Sequence, residues 1–107
     1  MAVCAVTRHA EHRTRERVGI PKKAVRRAAA KAMTDGIPHS LIVGRLRRYL
    51  DRLYQQGNGA ADNIMVYGDF IYLFNEDTLI TVLDMPSQCR KQAARLTRKR
   101  RKNNGMQ

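Results

Sequence analysis

The chain has 107 residues, and its 21 Lys and Arg against 9 Asp and Glu give a formal net charge of +12. This length is typical of one domain and too short for two independent hydrophobic cores. The charge exceeds what binding a small anionic metabolite requires, and it indicates a polyanionic partner. No segment approaches the roughly 20 apolar residues of a membrane span, so we predict no membrane-spanning helix and no membrane partner.

The basic charge is unevenly distributed. Residues 90–102 contain eight basic side chains and no acid, so the other thirteen basic residues face all nine acids and leave the body at +4. We therefore predict a compact domain over residues 1–88 and a basic C-terminal helix or tail over residues 89–107. The body is predicted to contribute to polyanion binding as well as the tail.

The first predicted elements are a strand and two helices. The apolar residues 2–6 indicate an edge strand or a frayed start, and Thr7 is a predicted cap for a helix that ends before Gly19. A second helix follows with Pro21 in its first turn and ends at Asp35-Gly36. Its apolar positions have helical spacing and are mostly alanine, which predicts close packing. They are Ala24, Val25, Ala28, Ala29, Ala32 and Met33.

A third helix, capped by Ser40 after a connector over residues 37–39, has the strongest amphipathic pattern in the chain. Its apolar positions are Ile42, Leu46, Tyr49, Leu50, Leu53 and Tyr54. Residues 55–62, which include two glycines, are predicted to form a loop.

Three strand-like segments follow at residues 64–67, 70–74 and 79–83, joined by short turn sequences, which predicts an antiparallel meander. Both alternating sets of residues are apolar, so we expect helices on one face and incomplete exposure of the other. Pro86 ends the last strand, and Ser87 is a predicted cap for a final helix. Its first turns are expected to dock, and the remainder to be disordered or helical only on a partner. The predicted fold is α+β, with N-terminal helices packed on a three- to four-stranded antiparallel sheet.

The first helix has almost no apolar residues, and its basic and imidazole side chains have two interpretations. His9, Arg13 and Arg17 recur every four residues and drift slowly around one face, with His12 and Glu16 beside them. One interpretation is a solvated helix with local pairs, such as Glu11–Arg15 and His12–Glu16. The other, given equal weight, is a phosphate-binding groove, because arginine matches phosphate oxygens and histidine exchanges protons near neutral pH.

Metal-free RNA cleavage requires a base, an acid and cations near the phosphate. The predicted catalytic residues are His9, Arg13, Arg17 and Thr81. His12 and Tyr72 are alternatives for the proton-transfer and hydroxyl positions, respectively. His39 is a further candidate for proton transfer, but the favoured interpretation is that it is a residue of a surface turn.

The predicted nucleic-acid-binding residues are basic side chains on the second and third helices and in the tail. They are Arg26, Arg27, Arg45, Arg48, Arg98, Lys99, Arg100 and Arg101. The aromatic residues of the predicted strands have two interpretations, namely exposed platforms that stack on bases or buried members of the hydrophobic core, and the second is favoured. They are Tyr67, Phe70, Tyr72 and Phe74.

Cysteine and histidine spacing indicates neither a metal site nor a cofactor. Cys4 and Cys89 form no CxxC pair, and the histidines lack zinc-ligand spacing. The first six residues are too short for a signal-peptide core, so we expect a cytoplasmic location. In that reducing compartment a disulfide between the two cysteines is not favoured, although the count allows one.

The motifs HAEHR (9–13), YLF (72–74) and LITVLDMP (79–86) resemble those of small phage and mobile-element proteins. More distantly, residues 7–86 resemble the RelE and BrnT toxins of the barnase/EndoU/colicin/RelE superfamily. This resemblance implies RNA cleavage in which His9, Arg13, Arg17 and Thr81 take part. The chain departs from those toxins in having three helices before the meander and no C-terminal Tyr after the sheet.

These observations predict a small basic protein that binds RNA or a ribonucleoprotein, with metal-independent, toxin-like endoribonuclease activity as the sharper hypothesis. The alternative is a non-enzymatic phage-encoded inhibitor of a host nuclease, ribosome or polymerase. Such an inhibitor would bind the nucleic acid or an acidic or nucleic-acid-binding surface of the host protein. A nucleic-acid condenser is a weaker third alternative, because the tail alone would suffice for it.

Overall fold

A computed structural model of the protein describes the backbone of residues 4–56 and 61–105, and their side chains through Lys99. The predicted α+β class is confirmed. The elements in chain order are β1 (Ala5–Val6), α1 (Arg8–Val18), α2 (Lys22–Asp35), β2 (Ile37–Pro38), a 3-10 turn (His39–Leu41), α3 (Gly44–Gln56), β3 (Asn63–Tyr67), β4 (Phe70–Asn75), β5 (Thr78–Asp84) and α4 (Ser87–Gly105).

The five strands form one mixed sheet in the order β1-β5-β4-β3-β2, in which β1 is parallel to β5 and the other pairs are antiparallel. The predicted meander β3–β4–β5 is confirmed, whereas a three- to four-stranded, purely antiparallel sheet is wrong in detail. The predicted connector contains β2, whose Pro38 is tolerated because β2 lies at an edge. No hairpin turn joins β1 to β5, so local turn signals do not set the direction of β1.

Helices cover both faces of the sheet, which corrects the expectation that one face alone carries them. One face packs against α3 and α4, and the other packs against α1 and α2. The first core contains Leu46, Leu50, Ile64, Val66, Ile71, Leu73, Cys89 and Ala93. The second contains Cys4, Ala10, Ala29, Ala32, Met65, Tyr72, Phe74, Leu79 and Val82.

The predicted alanine face of α2 is confirmed, because Val25, Ala29 and Ala32 are buried. Small side chains allow this helix to approach the sheet closely. At its end, a Cβ on Gly36 would clash with the carbonyl oxygen of Ala32, so a residue without a side chain is required where the chain enters β2.

The predicted packing residues of α3 are confirmed in part. Leu46 and Leu50 are fully buried. Tyr49 and Leu53 pack partly buried against the core, but Tyr54 is 46% exposed. The predicted start of the helix is wrong. Ser40 instead lies in the 3-10 turn, and Ile42 is extended. Gly44 then adopts a left-handed φ of 75°, so the helix begins there rather than at Ser40.

The final helix, α4, is continuous from Ser87 to Gly105. Cys89 and Ala93 are buried against the sheet, which confirms that its first turns dock. The remainder of the helix continues to Gly105, and its being disordered or helical only on a partner stays a prediction. The division of the chain after residue 88 stays a prediction. Ala2 and Val3, and residues 57–60 of the predicted loop, lie outside the described residues.

Candidate nucleic-acid interface

Helix α1 packs through small side chains. Ala10 and Thr14 are fully buried, and the Thr14 hydroxyl donates a 2.7 Å hydrogen bond to the Ala10 carbonyl. The Thr7 hydroxyl accepts from the Ala10 amide at 3.0 Å, which confirms the predicted cap. The predicted stop is confirmed as well, since Gly19 has a φ of 78°. The sequence signal for this packing was the spacing of Ala10, Thr14 and Val18, which is easily missed because none is large.

The helix lies alongside β5. His9 Nε2 is 3.4 Å from the Thr81 hydroxyl oxygen, and Arg17 donates a 2.7 Å hydrogen bond to the Asp84 carboxylate. Eight residues of helix rise roughly 12 Å, and three residues of strand span roughly 10 Å. The two contacts therefore place α1 beside β5 with both running in the same direction. Two of the four predicted catalytic residues, His9 and Thr81, thus meet.

The side chains of His9, Arg13 and Arg17 become progressively less exposed along α1. Each four-residue step changes the side-chain direction around the helix axis by roughly 40°. His9 is exposed, Arg13 is half-buried, and Arg17 has a side chain 29% exposed. Arg13 lies 3.7 Å from Glu16, and Arg17 pairs with Asp84. A phosphate at this helix would therefore compete with two carboxylates for the arginines.

The local-pair interpretation of α1 is correct in part. His12, whose side chain is 70% exposed, lies 3.3 Å from Glu16 as that interpretation predicted. The predicted partner of Glu11 was Arg15, but Glu11 instead lies 3.9 Å from Lys22 at the start of α2. These carboxylates reduce the cationic character of α1.

The aromatic residues of the meander belong to the core. Tyr72 and Phe74 are buried, while Tyr67 and Phe70 are partly buried beneath α1 and α2. Burial, followed by the nearby Tyr67, raises the pKa of Tyr72 to about 12. The burial of Tyr72 and Phe74 disfavours Tyr72 as a sheet hydroxyl at an RNA site and both residues as stacking platforms.

His39 occupies a structured position rather than a simple surface turn. Its Nε2 lies 2.6 Å from Asp51 Oδ1, and Arg47 Nε donates to the same oxygen at 3.1 Å. Arg47 also donates to the carbonyls of His39 at 3.4 Å and Ile42 at 3.2 Å. The hydrogen bond with His39, and then that with Arg47, lower the pKa of Asp51. The four-residue spacing of Arg47 and Asp51 was visible in the sequence, but the approach of His39 depends on the tertiary fold.

The outer sides of α3 and α4 carry the largest group of unpaired cations, which we call the α3/α4 basic surface. All its side chains are exposed: Arg45, Arg48, Arg52, Lys91, Arg95, Arg98 and Lys99. Among the described residues, none of the seven has a carboxylate within 4.0 Å. Gln92 joins the two helices, accepting from the Leu46 amide at 3.2 Å and donating to the Val43 carbonyl at 2.5 Å.

A second basic ridge lies on α2, across the sheet from the first surface. Its exposed members are Lys22, Lys23, Arg26, Arg27 and Lys31. Six of the eight predicted nucleic-acid-binding residues are therefore exposed, and they are divided between two sides of the molecule: Arg26, Arg27, Arg45, Arg48, Arg98 and Lys99. The side chains of Arg100 and Arg101 lie outside the described residues.

The cysteines and acids show no arrangement typical of a metal site in the described part of the chain. No group of three or more His, Cys, Asp or Glu side chains is placed there to hold a metal ion. Cys4 and Cys89 are free thiols in the cores on opposite faces of the sheet, and burial raises the pKa of the Cys4 thiol. Over residues 4–56 and 61–105, no helix has the length and apolar character needed to cross a membrane.

Comparison with known proteins adds no functional assignment. No protein-family model matches the chain, and no curated protein or solved structure shows significant similarity to it.

Proposed function

We propose that this protein binds RNA through the α3/α4 basic surface. The observation that carries this proposal is the set of seven exposed cations without acidic partners among the described residues. Arginine and lysine that contact phosphates release condensed counterions, which favours association. Arginine additionally matches the geometry of two phosphate oxygens.

The shape of the surface favours a polymer over a small anion. Its cations are spread along two packed helices, so they suit a chain of regularly spaced phosphates. RNA is chosen over DNA because the sequence motifs resemble those of RNA-cleaving toxins. Contacts to phosphate position a nucleic acid without reading its sequence, and we therefore expect weak sequence preference at this surface.

Matched charge reversals test the proposal. We expect Arg48→Glu/Arg52→Glu to weaken binding of a fluorescent single-stranded RNA strongly and to flatten its salt dependence. The slope of log K against log salt should fall by about 0.7 for each phosphate of the single strand that the variant no longer neutralises. The control, Arg27→Glu/Lys31→Glu on α2, makes the same change in net charge at the same residue spacing.

The comparison of the two variants decides the location of binding. Equal reductions in affinity would contradict a site at α3/α4 and indicate attraction by overall charge. A larger reduction in the α2 variant would move the site to the opposite side of the molecule. A single-stranded DNA of equal length and base sequence measures the preference for RNA, and tighter binding to that DNA would remove RNA from the proposal.

Endoribonuclease activity is a second candidate, favoured by the contact between His9 and Thr81. In this mechanism His9 accepts the 2′-hydroxyl proton, the resulting oxygen attacks phosphorus, and the bond to the 5′-oxygen breaks while that leaving oxygen takes a proton from solvent water. Arg13 would stabilise charge on the phosphate. Thr81 would orient the imidazole through its hydroxyl. Arg17 would contact the phosphate only after its ion pair with Asp84 has broken.

Incubation of the protein with total RNA in EDTA tests the nuclease hypothesis. We expect cleavage by the parent and by His12→Ala, but none by His9→Ala. His12 is the matched control because it lies three residues away and is bound to Glu16 rather than to β5. Intact RNA with tight binding would exclude this activity and leave the binding proposal in place.

A further inference from the structure

A depression lies between the 3-10 turn, α3 and the start of β3. Its volume is about 300 Å³, and its lining includes His39, Arg47, Tyr54, Asp62 and Asn63. Ligand pockets typically have roughly 300 to 1,000 Å³, so this one suits a single planar ring system.

The electrostatics of the depression disfavour a phosphate. Its two basic groups, His39 and Arg47, both contact Asp51 Oδ1. Arg47 is further committed to two backbone carbonyls. Asp62, also in the lining, keeps a carboxylate at the rim while accepting a 2.9 Å hydrogen bond from the Glu76 amide. The depression thus presents two basic side chains that are already bound to Asp51, together with a second carboxylate, to an incoming ligand.

The same lining favours a neutral aromatic ring. Tyr54 is 46% exposed, and it is the one tyrosine or phenylalanine that lines the depression among the described residues. Tyrosine faces stack on nucleobases in proteins that bind single strands. Asn63 offers both a donor and an acceptor for a base edge.

The position of the depression connects it to the basic surface. Arg47, Asp51 and Tyr54 follow one another at helical spacing along one side of α3, and Arg48 and Arg52 occupy the adjoining outer side. An RNA backbone bound to the outer arginines would pass close to the opening.

We propose that this depression receives one unpaired nucleobase of a bound RNA, stacked on Tyr54 beside the polar groups of His39 and Asn63. The inference rests on the proposed RNA binding and deepens it, because it predicts selection of single-stranded over double-stranded RNA. Base pairing would keep the ring inside a helix and out of the depression.

A comparison of two oligonucleotides with equal phosphate number isolates the base. The probes are an eight-nucleotide oligouridine and an eight-unit abasic ribose-phosphate strand, each measured with the parent, Tyr54→Leu and Tyr54→Phe. We expect the parent to bind oligouridine roughly fivefold or more tighter than the abasic strand, the lower end of the stacking contribution for one base. Tyr54→Phe should keep this ratio, and Tyr54→Leu should bring it close to one.

The nuclear magnetic resonance signals of the imidazoles locate the base, with His9→Ala and His12→Ala used for assignment. Oligouridine should shift the His39 signals, and the abasic strand should leave them in place. Equal affinity for both probes, or an unchanged ratio in Tyr54→Leu, would overturn the base pocket. If Arg48→Glu/Arg52→Glu still weakened the binding of both probes in that case, the RNA-binding proposal would stand without the base pocket. Failure of both probes to bind the parent would overturn both proposals.

Discussion

The two helical layers differ in both their packing and the pairing of their charges. Helices α1 and α2 contain nine basic and three acidic residues, whereas α3 and α4 contain twelve basic residues and one acid. The first layer packs through alanine and threonine, and the second through leucine on α3. In the α1/α2 layer, Glu11 and Glu16 lie beside basic side chains. Three of the nine basic residues of the first layer, Arg13, Arg17 and Lys22, lie within 4.0 Å of a carboxylate, whereas Arg47 alone does so among the described side chains of the second. The layers therefore differ in both the number and the pairing of their cations.

The largest expected effect comes from truncating a buried leucine in the α3/α4 layer. Leu50→Ala should lower the free energy of unfolding by about 2 to 5 kcal/mol, because it removes a fully buried side chain and leaves a cavity. Urea denaturation measures the change. Val43→Ala is the control, since Val43 is 69% exposed and its truncation should have little effect. Equal stability of Leu50→Ala and the parent would contradict the packing of α3.

The α1/α2 layer, which packs through alanine and threonine, should instead be sensitive to the enlargement of a buried side chain. Ala29→Leu places extra atoms where α2 meets the sheet, and we expect a decrease of about 1 to 3 kcal/mol in the free energy of unfolding. Ala94→Leu makes the same change at an exposed position of α4 and should be nearly neutral. If both variants unfold at the same urea concentration, the close approach of α2 is not a packing constraint.

Truncation after Lys99 separates the described basic surface from the end of the chain. It removes Arg100, Arg101 and Lys102 and leaves Cys89 and Ala93 in the core. The salt slope of single-stranded RNA binding should fall by about 0.7 for each phosphate that these three cations neutralise in the parent. A slope identical to that of the parent would show that the final cations do not contact RNA.

The smallest expected effect is a pH dependence from Asp51. Its pKa is lowered in the folded protein from the ordinary value of 3.8, so its ion pairs stabilise the fold above pH 3.8. This stabilisation is lost as pH falls through the folded-state pKa. Melting temperatures of the parent and Asp51→Asn should therefore differ at pH 5 and converge toward pH 2. A constant difference across this range would contradict the role of Asp51.

The predictable parts of the fold were those with local sequence patterns. The alanine face of α2 and the leucine positions of α3 follow from helical spacing, and the meander follows from short turns between apolar segments. The parallel pairing of β1 and the two-residue strand β2 depend on distant partners and have almost no local signal.

The candidate sites show the same limit. The sequence placed His9 and Thr81 in one hypothesis, and the structure brings them together. The contacts of Arg17 with Asp84 and of His39 with Asp51 have no signal in the sequence, because they join elements whose relative positions arise from packing. Exposure of the predicted basic residues was easier to anticipate, since unpaired charges remain in water.

The position of α1 beside β5 has a consequence for self-association. Among the described residues, β1 pairs with β5 at Thr78 and Leu79, so the later residues of β5 would otherwise offer unpaired backbone groups to another chain. His9 and Arg17 contact Thr81 and Asp84 along this segment and place bulky polar groups beside it. We therefore expect this highly polar helix to hinder the addition of a strand from another molecule, a role that requires little apolar surface.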